Sequence, residues 1–537
     1  MRALRVTLLA LLVPGAPCVA AAQTASRSWA EMTAGSELES YLRALQVAGK
    51  APAYPVSVRG WSAVERDSIV PRASEHPWIA RFRTPARGGG VRAALIRPEL
   101  ELVENTGFPY GADDGAVWAG KGLTIAVSGG FELRAGALSV VVDPVFFRAE
   151  NAAFALEPVP ATVRGAPYNE PVTPGTIDLP QRFGPGAYQR FDPGQSTVRL
   201  DLFGFAIGAT TASESWGPAI TSPVILGNNA AGFPRLFAGT ARPLNVGIGR
   251  VHGRWFAGQL GQSDWSPTDT AGGKRLAAGI VVVFQPRGLE NVELGISRFF
   301  HRFWPKDGVR ASDFFIPFEG FLKQGLRNKD DPSAPGGTPD NQLASFFARV
   351  ALPGSGVEIY GEYGREDHSW NIRDLAGEPD HISAYTLGVM RAWTDASAGV
   401  LTTMRAEVTN ARVTAIARGR GEGLLYEHSP LVQGHTQYGQ LLGSPAVRGG
   451  SGATLAFDRW SSAGRVSVSF TRTGRAGEAE GGLGRGATSA LTLDLLRFRG
   501  RLDFTARLGA VLETGVKSAG DRAQLHAVAG ARFPLGF

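Results

Sequence analysis

The 537-residue sequence has a single cysteine, Cys18, and after its first two dozen residues no apolar run of the roughly 18 residues that a membrane-crossing helix needs. Cys18 falls in a stretch with the form of a secretory signal peptide. Arg2 and Arg5 precede an apolar segment from Val6 to Val13, and Ala20, Ala21 and Ala22 supply small residues for cleavage before Gln23. Pro17 beside Cys18 removes the lipoprotein form of the site. The chain expected from Gln23 onward therefore has no thiol, which excludes a disulfide scaffold, a cysteine nucleophile and a cysteine-based metal site. Charge is also sparse, at 19% of residues, with a formal net charge of +7 that becomes +5 once Arg2 and Arg5 leave with the leader. Lys and Arg form no cluster, so nucleic acid is not an expected partner, and the small positive excess favours an anionic surface such as lipopolysaccharide or an acidic polysaccharide. No Ser- or Pro-rich linker divides the chain, and no G-x-S-x-G elbow or phosphate-binding loop falls between a strand and a helix.

What the sequence does have is period-two alternation on a large scale. From Leu525 the residues Ala527, Ala529, Ala531, Phe533, Leu535 and Phe537 form one apolar face, while Gln524, His526 and Arg532 fall on the other. Ten or so alternating residues is the length of a transmembrane β-strand and exceeds the usual soluble one. Similar runs occur at Leu123, Ile125 and Val127, at Val246 and Ile248, from Leu276 to Phe284, from Val292 to Ile296, from Val466 to Phe470, and from Leu502 to Leu512. In the last of these the opposite face carries Arg501, Asp503, Thr505 and Arg507. Charges on an inner face need a wet interior, because an unpaired charge in a dry core costs several kcal/mol, of order 3–5. A barrel lumen supplies that water. Short turns alternate with long polar stretches such as 327–341 and 473–489, the asymmetry of an outer-membrane barrel. Aromatic clusters at Phe299, Phe300, Phe303 and Trp304, and at Phe314, Phe315, Phe318 and Phe321, are expected to form an interfacial girdle.

Ahead of the strands the period is helical. Ser36 with Glu39, followed by Leu38, Tyr41, Leu42 and Leu45, predicts an amphipathic helix ending before Gly49. Ser62 with Glu65 predicts a second, and Pro77 to Phe82 a third. The expected organisation is a signal peptide at 1–22, a helical plug segment at 23–90 and a barrel at 91–537. The last strand should close the barrel against the first, near Leu123 or somewhat earlier.

Four stretches are more specific. They are Phe108 to Gly122 (F-P-Y-G-A-D-D-G-A-V-W-A-G-K-G), Ser215 to Arg235, Glu362 to His368 (E-Y-G-R-E-D-H), and Tyr426 to Gly443, which holds His428, His435 and Tyr438. In this order they resemble the capsule-assembly Wzi family of outer-membrane proteins across most of the chain. The resemblance implies an all-β, transmembrane antiparallel barrel of about eighteen strands with a small N-terminal helical plug, acting as a monomer that binds capsular polysaccharide or exopolysaccharide as a lectin. A barrel in the outer membrane is also expected to contact its lipid and lipopolysaccharide and the barrel-assembly machinery, and the apolar end Phe533, Leu535 and Phe537 resembles the C-terminal signal of bacterial outer-membrane barrels. A porin for small solutes and an outer-membrane glycan or lipid hydrolase remain the alternatives.

The candidate ligand contacts are Trp216, Asn229, Glu362, Arg365, Asp367, His428, His435 and Tyr438. Glu362 and Asp367 invite a glycosidase reading, but on a strand Glu362 and Glu366 share a face and Asp367 takes the other. Lumenal charges paired with Arg365 or a cross-strand arginine account for them without chemistry. His428 and His435 are seven apart, which matches no metal-ligand spacing. Asp330, Asp331 and Asp340 lack the glycine and glutamate of a calcium loop. Trp216 before Gly217 and Pro218, and Asn228 with Asn229, first suggest turns. No catalytic residue, metal or cofactor is expected.

Overall fold

The computed structural model describes residues 31–70, 78, 90–111, 114–269, 273–318, 340–366, 376–413, 423–475, 486–516, 518 and 520–533. The leader at 1–22, the helix expected over Pro77 to Phe82 apart from Trp78, the residues Asp330, Asp331, Phe321, Asp367 and His368, and the terminal pair Leu535 and Phe537 lie outside them.

Among the described residues one antiparallel sheet closes on itself. Its hydrogen-bonded segments include three pairs that are single strands broken by a bulge or kink: Leu138–Val142 with Val145–Ala149, Tyr188–Asp192 with Thr197–Leu202, and Arg235–Thr240 with Leu244–Asn245. Taking each pair as one strand gives eighteen. Closure is made by Gly520–Arg532 against Val91–Asn105, with His526 opposite Asn105 and Arg532 opposite Glu99. The closing partner is thus the strand before Leu123, which belongs to the second strand, Gly122–Ala135. Alternation sorts the side chains as a membrane requires. Leu123, Ile125, Val127, Leu491, Leu493, Leu508 and Leu525 are exposed on the outer face. A water-soluble protein seldom shows so broad an apolar band.

The two ends differ. At one end the strands are joined by tight turns, such as 136–137, 203–204 and 500–501; at the other they are joined by long segments, 150–187, 211–234 and 411–450 among them. Val246 and Ile248 belong to a short-end turn and not to a strand, and Arg501 lies in another such turn, exposed and outside the lumen. In both places the alternation runs past the last ladder pair, where no neighbouring strand exists to enforce it.

The segment before the barrel enters at the short-turn end and packs against the inner wall. Helix α1, Glu37–Val47, starts where its cap predicts: the Ser36 hydroxyl accepts from the Glu39 amide at 3.4 Å. Helix α2, Ala63–Ile69, opens on a complete capping box between Ser62 and Glu65. Leu38, Tyr41, Leu42 and Leu45 cluster with Trp61, Trp78 and the wall residues Leu401, Trp460, Leu496 and Phe498. The polar side of α1 is not solvated, contrary to a simple amphipathic reading, because Glu39, Arg43 and Gln46 are buried too.

Ion pairs make that burial tolerable. Arg43 donates to Glu358 at 3.0 Å, Arg349 reaches Glu358 at 2.9 Å, Glu293 at 2.6 Å and Gln46 at 2.7 Å, and Glu293 accepts from the amides of Val56 and Ser57 at 3.1 Å. On the opposite wall Glu65 meets His252 at 3.1 Å and Arg199 and Arg254 at 3.5 Å. Near the seam Arg532 bridges Glu37 at 3.3 Å and Glu99 at 3.0 Å. Burial alone would push the Glu37 carboxyl up, but Arg532 overrides it and holds it down to about 2.

The aromatic clusters divide. Phe299 points inward and is fully buried beside Phe256 and His435, so it is not part of a girdle. The helical turn Ala311–Phe318 lies on the outer wall, where Trp255 donates to the Phe314 carbonyl at 2.9 Å and stacks on Phe315; Phe315 and Phe318 are exposed. Phe299 is placed inward by ladder parity and not by its aromatic neighbours, since it pairs with Leu343 and Gly279 on the lumenal face.

Candidate functional site

The long-loop end is where the chain departs from barrel regularity. The segments 211–234 and 423–450 fold back into the mouth and bind each other through backbone, Gly227 to Leu442 at 2.9 Å and Ser444 to Pro223 at 3.0 Å, while Asp178 of the 150–187 segment donates to the Gln433 carbonyl at 3.1 Å. Gly115 of the first long segment donates to the Asn228 carbonyl at 2.8 Å. From below, Val58 and Arg59 pair with Ser215 and Trp216 as a short two-stranded sheet. The infolded segments and the N-terminal segment therefore meet inside the barrel, around a core of Val58, Trp216, Val224, Phe256, Val281, Phe299 and Leu343.

Most candidate contacts are part of this closure. Trp216 is fully buried, 5.4 Å from Phe256, and offers no face to solvent, so its expected use as a ligand contact is corrected to a packing one. Asn229 spans the two infolded segments through its amide, which donates to the Leu441 carbonyl at 2.9 Å. Glu362 is buried on the inner wall directly opposite Gly217, whose φ of +84° only glycine adopts freely; a Cβ there would run into the carboxylate. Glu366, four residues along on the same face, accepts from Asn341 at 2.6 Å and from the Tyr426 amide.

Arg365 takes no part in this. Strand parity turns it to the outer face, where it donates to the Glu378 carbonyl at 2.9 Å, so the expected pairing with Glu362 and Glu366 does not form. His428 is half-buried in the 411–450 segment. His435 is fully buried, with its Nε2–H donating to the Ile225 carbonyl at 2.6 Å and its ring 4.7 Å from Phe299 and 5.1 Å from Tyr426. Burial pushes its pKa down to about 4; the Arg275 guanidinium adds to this, and the Ile225 carbonyl works against it. Tyr438 is half-buried at φ +50°, under the Arg190 guanidinium at 5.2 Å, and Gly261 is the residue that leaves room for its ring.

Sequence reasoning missed an aromatic group on the same end. Trp118 lies 4.6 Å from Phe183, Phe183 stacks on Tyr188 at 4.5 Å, and Trp265 closes the group at 5.5 Å. Trp118, Tyr188 and Trp265 remain partly exposed. The four come from separate connections and strands, so no local spacing announces them; only the aromatic content of otherwise polar loops hints at it. Among the described residues no three His, Cys, Asp or Glu side chains converge as metal ligands.

Comparison with known proteins agrees with this architecture. Residues 111–518 match the family model described as capsule assembly protein Wzi. No protein of curated function matches the chain. Among solved structures, the Escherichia coli protein Wzi, described as an outer-membrane protein involved in group 1 capsule assembly and a carbohydrate-binding β-barrel, is similar at 13% identity and a TM-score of 0.62 over 95% of this chain and 100% of that one. Pseudomonas aeruginosa OprD is similar at 11% identity and a TM-score of 0.36, over 82% and 96% of the two chains.

Proposed function

We propose, from the premise that this chain belongs to the capsule assembly protein Wzi family, that it is an outer-membrane barrel holding capsular polysaccharide or exopolysaccharide at the cell surface without catalysis. The observation that carries this reading is the family match across 111–518, which spans the infolded long segments and every barrel strand but the first and last. Short turns then face the periplasm and long segments the outside. The loop end supports the role, because aromatic faces and paired charges on a rigid scaffold are the groups that take up sugar rings and hydroxyls. The N-terminal segment at 31–70 acts as a plug, supported by its buried ion pairs with opposite walls, Arg43 with Glu358 and Glu65 with Arg199 and Arg254. The final strand, with Phe533 on its outer face and Leu535 and Phe537 beyond, serves as the assembly signal.

A porin role is disfavoured by the filled lumen. The test is made in cells that produce a surface polysaccharide: deleting the gene should release polysaccharide to the medium, and the wild-type gene should restore retention. Polysaccharide held equally well without the protein would overturn the reading. Release of reducing sugar by the purified barrel, lost in Glu362→Gln, would instead favour an enzyme.

A further inference from the structure

The long-loop end contains a cavity that lies apart from the candidate contacts above and touches them only through Leu441, the residue whose carbonyl accepts from Asn229. It measures about 310 Å³ and lies between the inner wall near the top of the last strands and the segments 150–187 and 441–448. Its size falls at the lower end of the range of about 300–1,000 Å³ typical of small-ligand sites, and it leaves room for a sugar ring and part of the next.

The lining has two chemistries. Phe108 and Phe154, with Pro109 and Pro180, form an apolar surface. Three arginines form the wall, each already bonded to carboxylates. Arg475 lies between Glu157, at 2.7 Å, and Glu513. Arg522 reaches Glu513 at 2.5 Å, with its guanidinium 4.5 Å from the Phe108 ring and 5.6 Å from Phe154. Arg448 bonds Glu170 at 3.1 Å and also Glu427. Arg475 and Arg522 keep part of their side chains in solvent, so a ligand can reach them.

We infer that this cavity is a subsite for neutral hexose residues of the polysaccharide, an inference that rests on the function proposed above. Three steps lead there. A pyranose presents a face of C–H groups that fits an aromatic surface, whose face is electron-rich. Its hydroxyls donate and accept at once, and they match a wall where guanidinium N–H groups alternate with carboxylate oxygens. The guanidinium charges of Arg448, Arg475 and Arg522 are already answered by Glu157, Glu170, Glu427 and Glu513, so among the described residues the lining offers no unanswered cation to a uronate or phosphate, and an added anion would meet carboxylates as near as arginines.

The experiment uses the full barrel purified in detergent and isothermal calorimetry with two neutral probes, cellohexaose and mannohexaose, and one anionic probe, hexagalacturonate. At least one neutral probe should bind. Phe154→Ala and Glu157→Gln should each weaken it tenfold or more, with heat-modifiable gel mobility unchanged as the measure of folding. The inference is overturned if neither neutral probe binds, if hexagalacturonate binds more tightly than both, or if both folded variants bind like the wild type. In each of those cases the holding function still stands provided cells lose polysaccharide when the gene is deleted. If they lose none, the function and this subsite fall together.

Discussion

His435 is the residue whose surroundings most constrain its charge. A buried imidazole with a pKa near 4 stays neutral in the folded state, whereas in the unfolded chain it takes a proton below its ordinary value of about 6.5. The unfolded state thus binds more protons between those two values, so stability is intact above about 6.5 and falls as pH drops toward 4, by at most about 3 kcal/mol. Charging His435 in place also sets it against the Arg275 guanidinium. Hydrogen exchange should show the amides of Tyr426, Gly434 and Leu442 opening faster at pH 4.5 than at pH 7, and His435→Gln should flatten that dependence; equal protection at the two pH values would contradict it. Gly217 makes a second case. Gly217→Ala must force a residue with a Cβ into φ +84° against the Glu362 carboxylate, and a loss of about 1–3 kcal/mol in thermal unfolding is expected. At this scale the sequence revealed types and not surroundings. Trp216, Glu362 and His435 stand out in the linear pattern because they are unusual in barrel sequence, and they prove unusual because they fasten the mouth shut. Arg365 could have been placed from parity alone, since Glu362 and Glu366 occupy the opposite face.

The elements were far more legible. Capping boxes located α1 and α2, and two-residue alternation located most strands, because a wall between lipid and a polar lumen forces that period on every residue. What remained hidden was the buried polar side of α1, since its partners Arg349 and Glu358 lie some three hundred residues away in sequence. Removing a single member of that network should be costly. Arg349→Leu strips Glu293 of its guanidinium and leaves Glu358 with Arg43 alone, so the docking of the segment should weaken by about 3–5 kcal/mol. Exchange at the Val56 and Ser57 amides, which donate to Glu293, reports it directly, and Glu293→Gln in the same chain, which removes the unpaired charge but keeps an oxygen to accept from those amides, should recover part of the protection. The C-terminal strand gives a prediction of another kind. Deleting Phe537 should lower the heat-modifiable fraction recovered from membranes while leaving the lumenal contacts of His526 and Arg532 as they are; undiminished insertion would refute its role as a signal.

For the whole molecule, the expected signature is an ion-tight barrel. Planar bilayers should show negligible steady conductance for the wild type, and large, stable pores would favour a channel instead. Closure of the sheet and filling of the lumen also bear on the order of assembly. The segment that fills the lumen is made first, yet its charged partners Glu293, Arg349 and Glu358 are made much later and are brought together only as the ninth to eleventh strands align. Until then Arg43 has no low-dielectric carboxylate partner and no reason to leave water. Contacts of such long sequence separation form late. Docking of the N-terminal segment is therefore expected to depend on a correctly registered wall, since a barrel with one strand out of register would present its acids and bases a residue out of phase with Arg43 and Glu65.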